Sequence, residues 1–115
     1  MSENCVFCQI VAGKATGEIV YQDDQVTAFR DQRPAAPVHL LLVPNRHIAS
    51  LNRISEEDEA LLGHLMIVAS QLAEQNHISQ SGYRFFINTG SDAGQTIFHL
   101  HAHLMGGRQL PGLTR

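Results

Sequence analysis

Near the C-terminal end, the segment "IFHLHAHLM", residues 97–105, places His99, His101 and His103 between Leu100, Ala102 and Leu104. Successive side chains of a strand point to opposite faces of the sheet. The segment therefore predicts a strand with three imidazoles on one face and an apolar row on the other. The apolar row needs a covering layer, and the imidazole row is left facing a second environment. The fold must accommodate both.

The rest of the chain supplies a cover and further strands. Ser55 can cap the free amides of a helix start, and Glu56, Glu57 and Asp58 put negative charge where the helix dipole favours it. Leu61, Leu62, Leu65, Met66, Ala69, Leu72 and Ala73 recur at helical spacing, so a helix is predicted from residue 55 to about 76, its apolar stripe on the sheet. Residues 18–21 and 26–29 flank "QDDQ" and read as two short strands around a turn. "RDQRPAAP" is a loop, because its prolines resist helix and central-strand geometry. "VHLLLVP" and "YRFFIN" are strands, and "TGSDAGQT" is a polar loop. Residues 5–12 suit a helix of one or two turns, and residues 47–52 another helical turn. Strands, one long helix and further strands imply an α+β fold with a mostly antiparallel sheet.

At 115 residues the chain suits one domain spanning residues 1–115, with no internal repeat or linker. Hydrophobic residues make up 43% and charged residues 17%, which fits a globular chain. A net charge of −3 gives no broad basic footprint for nucleic acid, although a local anion site is compatible with it. No apolar run reaches membrane-spanning length, and "MSENCVFCQI" lacks the basic and apolar regions of a signal peptide. With two cysteines only, the expected location is the cytoplasm.

The three histidines are more than a polar strand face requires, since Thr, Lys or Glu would serve there. One ion held by all three is unfavourable, because the outer two lie about 13 Å apart on a straight strand. A division of labour fits better. Imidazole is a competent nucleophile near neutral pH, and attack on phosphorus or carbonyl would form a covalent intermediate. The loop ahead of the strand favours phosphorus. Asn88, Gln95 and Thr96 are neutral donors, and Gly90 and Gly94 let the backbone come close. Cys5 and Cys8, in "CVFC", leave three readings open: a redox pair, two inert thiols, or half of a zinc site.

"HLHAHLM" resembles the histidine triad pattern without a departure. "YQDDQVTAFRDQRPAAPVHLLLVPNRH", "LLGHLMIVA", "GYRFFINTGSDAGQT" and "GGR" are similar to the Hint-like branch of that superfamily. The resemblance implies a five-stranded, mostly antiparallel sheet with a long helix and a short N-terminal helix. It implies a purine nucleoside phosphoramidase, releasing a nucleoside monophosphate through a nucleotidyl-histidine. His101 would be the nucleophile, His103 would bind the phosphate, and His39 would support and orient the nucleophile. Asp31 would accept from the ribose hydroxyls. Asn88, Gly94, Gln95 and Thr96 would lie on the phosphate side, and Phe7 and Ile10 would enclose the base. The substrates implied are AMP or GMP derivatives. The leaving amine's proton could come from His103, His39 or a water. The resemblance also implies a structural zinc on Cys5, Cys8, His47 and His99, and a homodimer joined along sheet edges. His64 and His77 match no site.

Two rival readings remain open on the sequence. One is a Fhit-like dinucleoside polyphosphate hydrolase. The other is a zinc-bearing nucleotide-binding or interaction protein with incidental turnover. The C-terminal "RQLPGLTR" departs from the Trp- and Pro-rich ends of animal relatives, which makes that segment the candidate for setting leaving-group preference.

Overall fold

A computed structural model describes residues 4–112. Its five-stranded sheet is ordered β1-β2-β3-β5-β4, and every neighbouring pair is antiparallel. The strands are β1 (Ile19–Gln22), β2 (Val26–Arg30), β3 (Val38–Pro44), β4 (Tyr83–Ile87) and β5 (Ala102–Gly106). Helix α1 (Val6–Val11) precedes them, and helix α2 (Glu59–Gln75) lies between β3 and β4. The α+β architecture expected from the sequence is the one observed.

β3 holds the centre because it can be buried on both faces. Leu40 and Leu42 face α2 and join Val26, Ala28, Leu65, Val68, Leu72, Ala102 and Leu104 in the main core. Leu41 and Val43 face the other way and pack with Phe7, Ile10 and Phe29 under α1. Burial of such side chains, at about 25 cal/mol per Å² of apolar area, fixes the register of a strand that must present both rows. Ala102 and Leu104 of the "HLHAHL" row do lie on the α2 side, as the alternation predicts, and Leu100 is buried ahead of β5.

Three local expectations need correction. The last strand was predicted over residues 97–105, but β5 begins only at Ala102, leaving His99 and His101 in irregular backbone. Pro44 opposite has no amide proton for a ladder, and its carbonyl accepts from the His99 ring at 2.8 Å. The Leu100 amide instead donates to the Ile48 carbonyl at 2.6 Å, so the chain bends there. The long helix begins with a 3₁₀ turn, Glu56–Asp58, and the Asp58 carboxylate accepts the Ser55 amide at 2.9 Å. Its buried stripe takes in Val68 and leaves Met66 61% exposed. The turn expected at residues 47–52 is a 3₁₀ helix at Leu51–Arg53.

Gly107, in "GGR", has φ +97, and a Cβ there would meet Pro37 at 2.9 Å. Only glycine fits this close turn. Among the described residues, no helix is long and apolar enough to cross a membrane.

Candidate active site and metal centre

A cleft of about 330 Å³ opens on the α1 side of the sheet. Its apolar lining includes Phe7 and Ile10 from α1, Phe29 from β2 and Leu41 from β3. Its polar lining includes Asn88, Gly94, Thr96, His101 and His103. Asp31 lies on its wall, directly after β2. The arrangement suits a ligand with a flat apolar part and an anionic part.

The hydrogen bonds assign the tautomers. His101 Nδ1 lies 2.8 Å from the His99 carbonyl. A carbonyl only accepts, so Nδ1 carries the proton and, in the neutral ring, Nε2 keeps a free lone pair. The ring is 9% exposed and packs edge-on against Phe7, centroids 5.1 Å apart. This is a fixed imidazole lining the cleft with one nitrogen available.

His39 carries the opposite pattern. Its Nδ1 accepts the Ala35 amide at 3.0 Å, so in the neutral ring Nε2 holds the proton. Nε2 then donates to His103 Nδ1 at 2.9 Å, with the Asp31 carboxylate 3.4 Å away. His103 is left with its Nε2–H as a donor. Its ring stacks on Phe86, its cross-strand neighbour, with centroids 4.7 Å apart and planes 6° from parallel. Burial first, then the neighbouring His101 and His39, hold the His103 pKa down to about 4. Burial also lowers His39, with Asp31 acting against it.

In this geometry the His39 ring bonds to His103, while the backbone carbonyl of His99 bonds to His101. Asp31, His39 and His103 stand close enough to resemble a metal triad. Their hydrogen bonds argue otherwise, because a cation on His39 Nε2 would need a proton at Nδ1, facing the Ala35 amide.

Gln95 does not line the cleft. It is buried, its Oε1 accepts the Gly90 amide at 2.9 Å, and its Nε2 donates to the Ala49 and Ile97 carbonyls. It shapes the loop that presents Gly94 and Thr96. Sequence reasoning did not pick out Phe29, Leu41 or Gly17 as wall residues. Gly17 carries a local signal only in retrospect, since a Cβ there would meet Ile10 at 3.0 Å.

The second centre lies behind α1. Cys5, Cys8, His47 and His99 offer ligand atoms that all lie within 4.8 Å of one another. His99 Nδ1 is 3.4 Å from each sulfur, and His47 Nδ1 is 3.3 Å from the Cys8 sulfur. A tetrahedral ion with ordinary Zn–S and Zn–N bonds sets S···N separations of about 3.5 Å. The His99 Nε2–H donates to the Pro44 carbonyl, which leaves Nδ1 as the ligating nitrogen. Burial, the leading cause, lowers the His99 pKa to about 4 and keeps that lone pair free of a proton. Burial pushes the Cys5 thiol up, and a bound cation would reverse that. The four residues fit a metal ion by distance, donor type and lone-pair direction.

The Tyr21 hydroxyl donates to Asp23, and His64 Nε2 lies 2.6 Å from the same carboxylate oxygen. His64 thus ties α2 to the β1–β2 turn, away from the cleft. His77, at φ +61, ends α2 as its amide donates to the Glu74 carbonyl.

Residues 4–113 match the family model described as "Scavenger mRNA decapping enzyme C-term binding". The purine nucleoside phosphoramidase of Escherichia coli strain K12 is 46% identical over 110 residues, covering 96% of this chain and 92% of the relative. The HIT family hydrolase of Clostridium thermocellum superposes with a TM-score of 0.95 at 42% identity, covering 100% of both chains. A zinc-bound histidine triad family protein from Mycobacterium smegmatis has a TM-score of 0.78 at 32% identity, covering 91% of this chain and 76% of that one.

Proposed function

Because the chain belongs to the histidine triad superfamily, in its Hint-like branch, and is a HIT family hydrolase, we propose that it cleaves the P–N bond of purine nucleoside 5′-phosphoramidates. The observation that carries this reading is the His101 ring, whose Nδ1–H is committed to the His99 carbonyl while Nε2 stays free beside the cleft.

The purine sits between Phe7, Ile10 and Phe29, and its ribose hydroxyls donate to Asp31. Asn88, Thr96, the Gly94 backbone and His103 Nε2–H donate to the phosphoryl oxygens. His101 Nε2 attacks the α-phosphorus and the P–N bond breaks, its electron pair leaving on nitrogen, which departs as the amine with a proton delivered by His103, His39 or a water; the water of the next step returns that proton to its donor. The ring of the nucleotidyl-histidine is then positive, and the His99 carbonyl facing Nδ1–H stabilises that charge. Water attacks the same phosphorus, and the nucleoside monophosphate leaves with His101 restored. Acyl nucleotides present the same phosphorus and follow the same course.

Zinc is the ion proposed for Cys5, Cys8, His47 and His99. With all four positions filled by protein, it would serve as a structural brace. The chain would act as one domain in the cytoplasm, as a homodimer.

Adenosine 5′-phosphoramidate and diadenosine tetraphosphate should be compared with wild type and His101→Asn. The proposal expects faster cleavage of the phosphoramidate, and loss of turnover by at least about 10³-fold in the variant, with folding retained. Faster cleavage of the polyphosphate would favour a dinucleotide hydrolase. Tight AMP binding without turnover of either would favour a binding protein.

A further inference from the structure

We propose that the Cys5, Cys8, His47 and His99 cluster, once it holds its ion, fastens Phe7 in place, and that Phe7 is a positioning residue for His101. The part of this that concerns the nucleotide rests on the function proposed above. The part that concerns His101 does not.

Helix α1 is six residues long, too short to persist without tertiary support. Cys5 is its N-cap and Cys8 lies in its first turn, so the two thiol ligands bracket Phe7. The Phe7 ring is 5% exposed and stands edge-on to His101 at 5.1 Å, to His99 at 6.1 Å and to Phe29 at 5.2 Å. It also lines the cleft. One helical turn therefore carries two ligands, a wall of the cleft and a packing surface for the nucleophile. At the far end of α1, Gln22 Nε2 donates to the Val11 carbonyl at 3.1 Å, an exposed contact.

A second route leads from the cluster to the same ring. His99 offers Nδ1 to the ion and Nε2–H to Pro44, and its backbone carbonyl accepts His101 Nδ1–H at 2.8 Å. Holding the His99 ring at both nitrogens holds that carbonyl, and the carbonyl selects the His101 tautomer. Both routes converge on His101 Nε2. Removing the ion would loosen α1 and His99 together and leave the α2 core intact.

The test compares the full chain loaded with one equivalent of zinc and the same protein stripped by chelator. Three readouts are needed: imidazole ¹⁵N spectra of His101, amide exchange, and AMP titration. The loaded protein should show His101 as the Nδ1–H tautomer. Stripping should mix the tautomers, speed exchange at the Gln9 and Ala12 amides about tenfold or more, and weaken AMP binding about tenfold. The α2 amides of residues 69–73 should be unchanged. Cys8→Ser in the presence of zinc should reproduce the stripped state. Phe7→Leu should keep zinc and the loaded exchange pattern while lowering kcat more than it raises KM.

The inference is overturned if the protein takes up no zinc, or if stripping leaves the His101 spectrum and the α1 amides unchanged. Equal acceleration in α2 would also overturn it, by showing a brace for the whole fold. Loaded protein that fails to bind AMP contradicts the proposed function alone, and the spectra and exchange still decide this one.

Discussion

Two histidines of the same motif, His99 buried and His103 half-buried, are kept neutral by the same force for different tasks. His103 is held from the usual 6.5 to about 4, chiefly by burial, and the His39 ring turns it into a donor toward the cleft. His99 is held equally low, again chiefly by burial, and its free Nδ1 faces two sulfurs. A histidine lowered on folding binds fewer protons in the folded chain than in the unfolded one between those two values. Its stabilisation is whole above pH 6.5, declines as pH falls, and is lost through about pH 4. Thermal unfolding followed from pH 7 to pH 4 should therefore show a falling Tm. His103→Asn should flatten that fall, and parallel curves for wild type and variant would contradict the assignment.

Elements were legible in the sequence where a pattern was repeated and local. The apolar run of β3 and the stripe of α2 each announced themselves, because a centre strand and a covering helix need continuous burial. Leu72 sits in that interface at 2% exposure, so Leu72→Ala should cost about 2–5 kcal/mol in denaturant unfolding. Gln71→Ala, on the exposed side of α2, should stay within about 0.5 kcal/mol, and equal effects would contradict the packing described. The start of β5 was not legible. Alternation continues through residues 97–101, but Pro44 and Ile48, some fifty residues away, decide where the ladder stops. The partners of His39 and Gln95 were hidden for the same reason, since each chooses among groups brought close by folding. The residue types of the metal set were visible. "CVFC" alone left several readings, and the family resemblance supplied His47 and His99 as partners.

At the scale of the whole molecule, among the described residues β4 ends the sheet with one edge unpaired, and Met66, Ile67 and Tyr83 are exposed by 61%, 57% and 40%. An open sheet edge and exposed apolar groups each offer surface for a second copy. Sedimentation should find a dimer, and Ile67→Glu should yield monomers without loss of zinc. A wild-type monomer at all concentrations would contradict the homodimer. The central claim concerns what the assembled cleft does to phosphorus. A rapid-quench single turnover of adenosine 5′-phosphoramidate, read by peptide mass spectrometry, tests it most directly. The account predicts an adenylyl group on His101, appearing before AMP and absent in His101→Asn. Turnover with no adduct, or with the adduct on another residue, would contradict it.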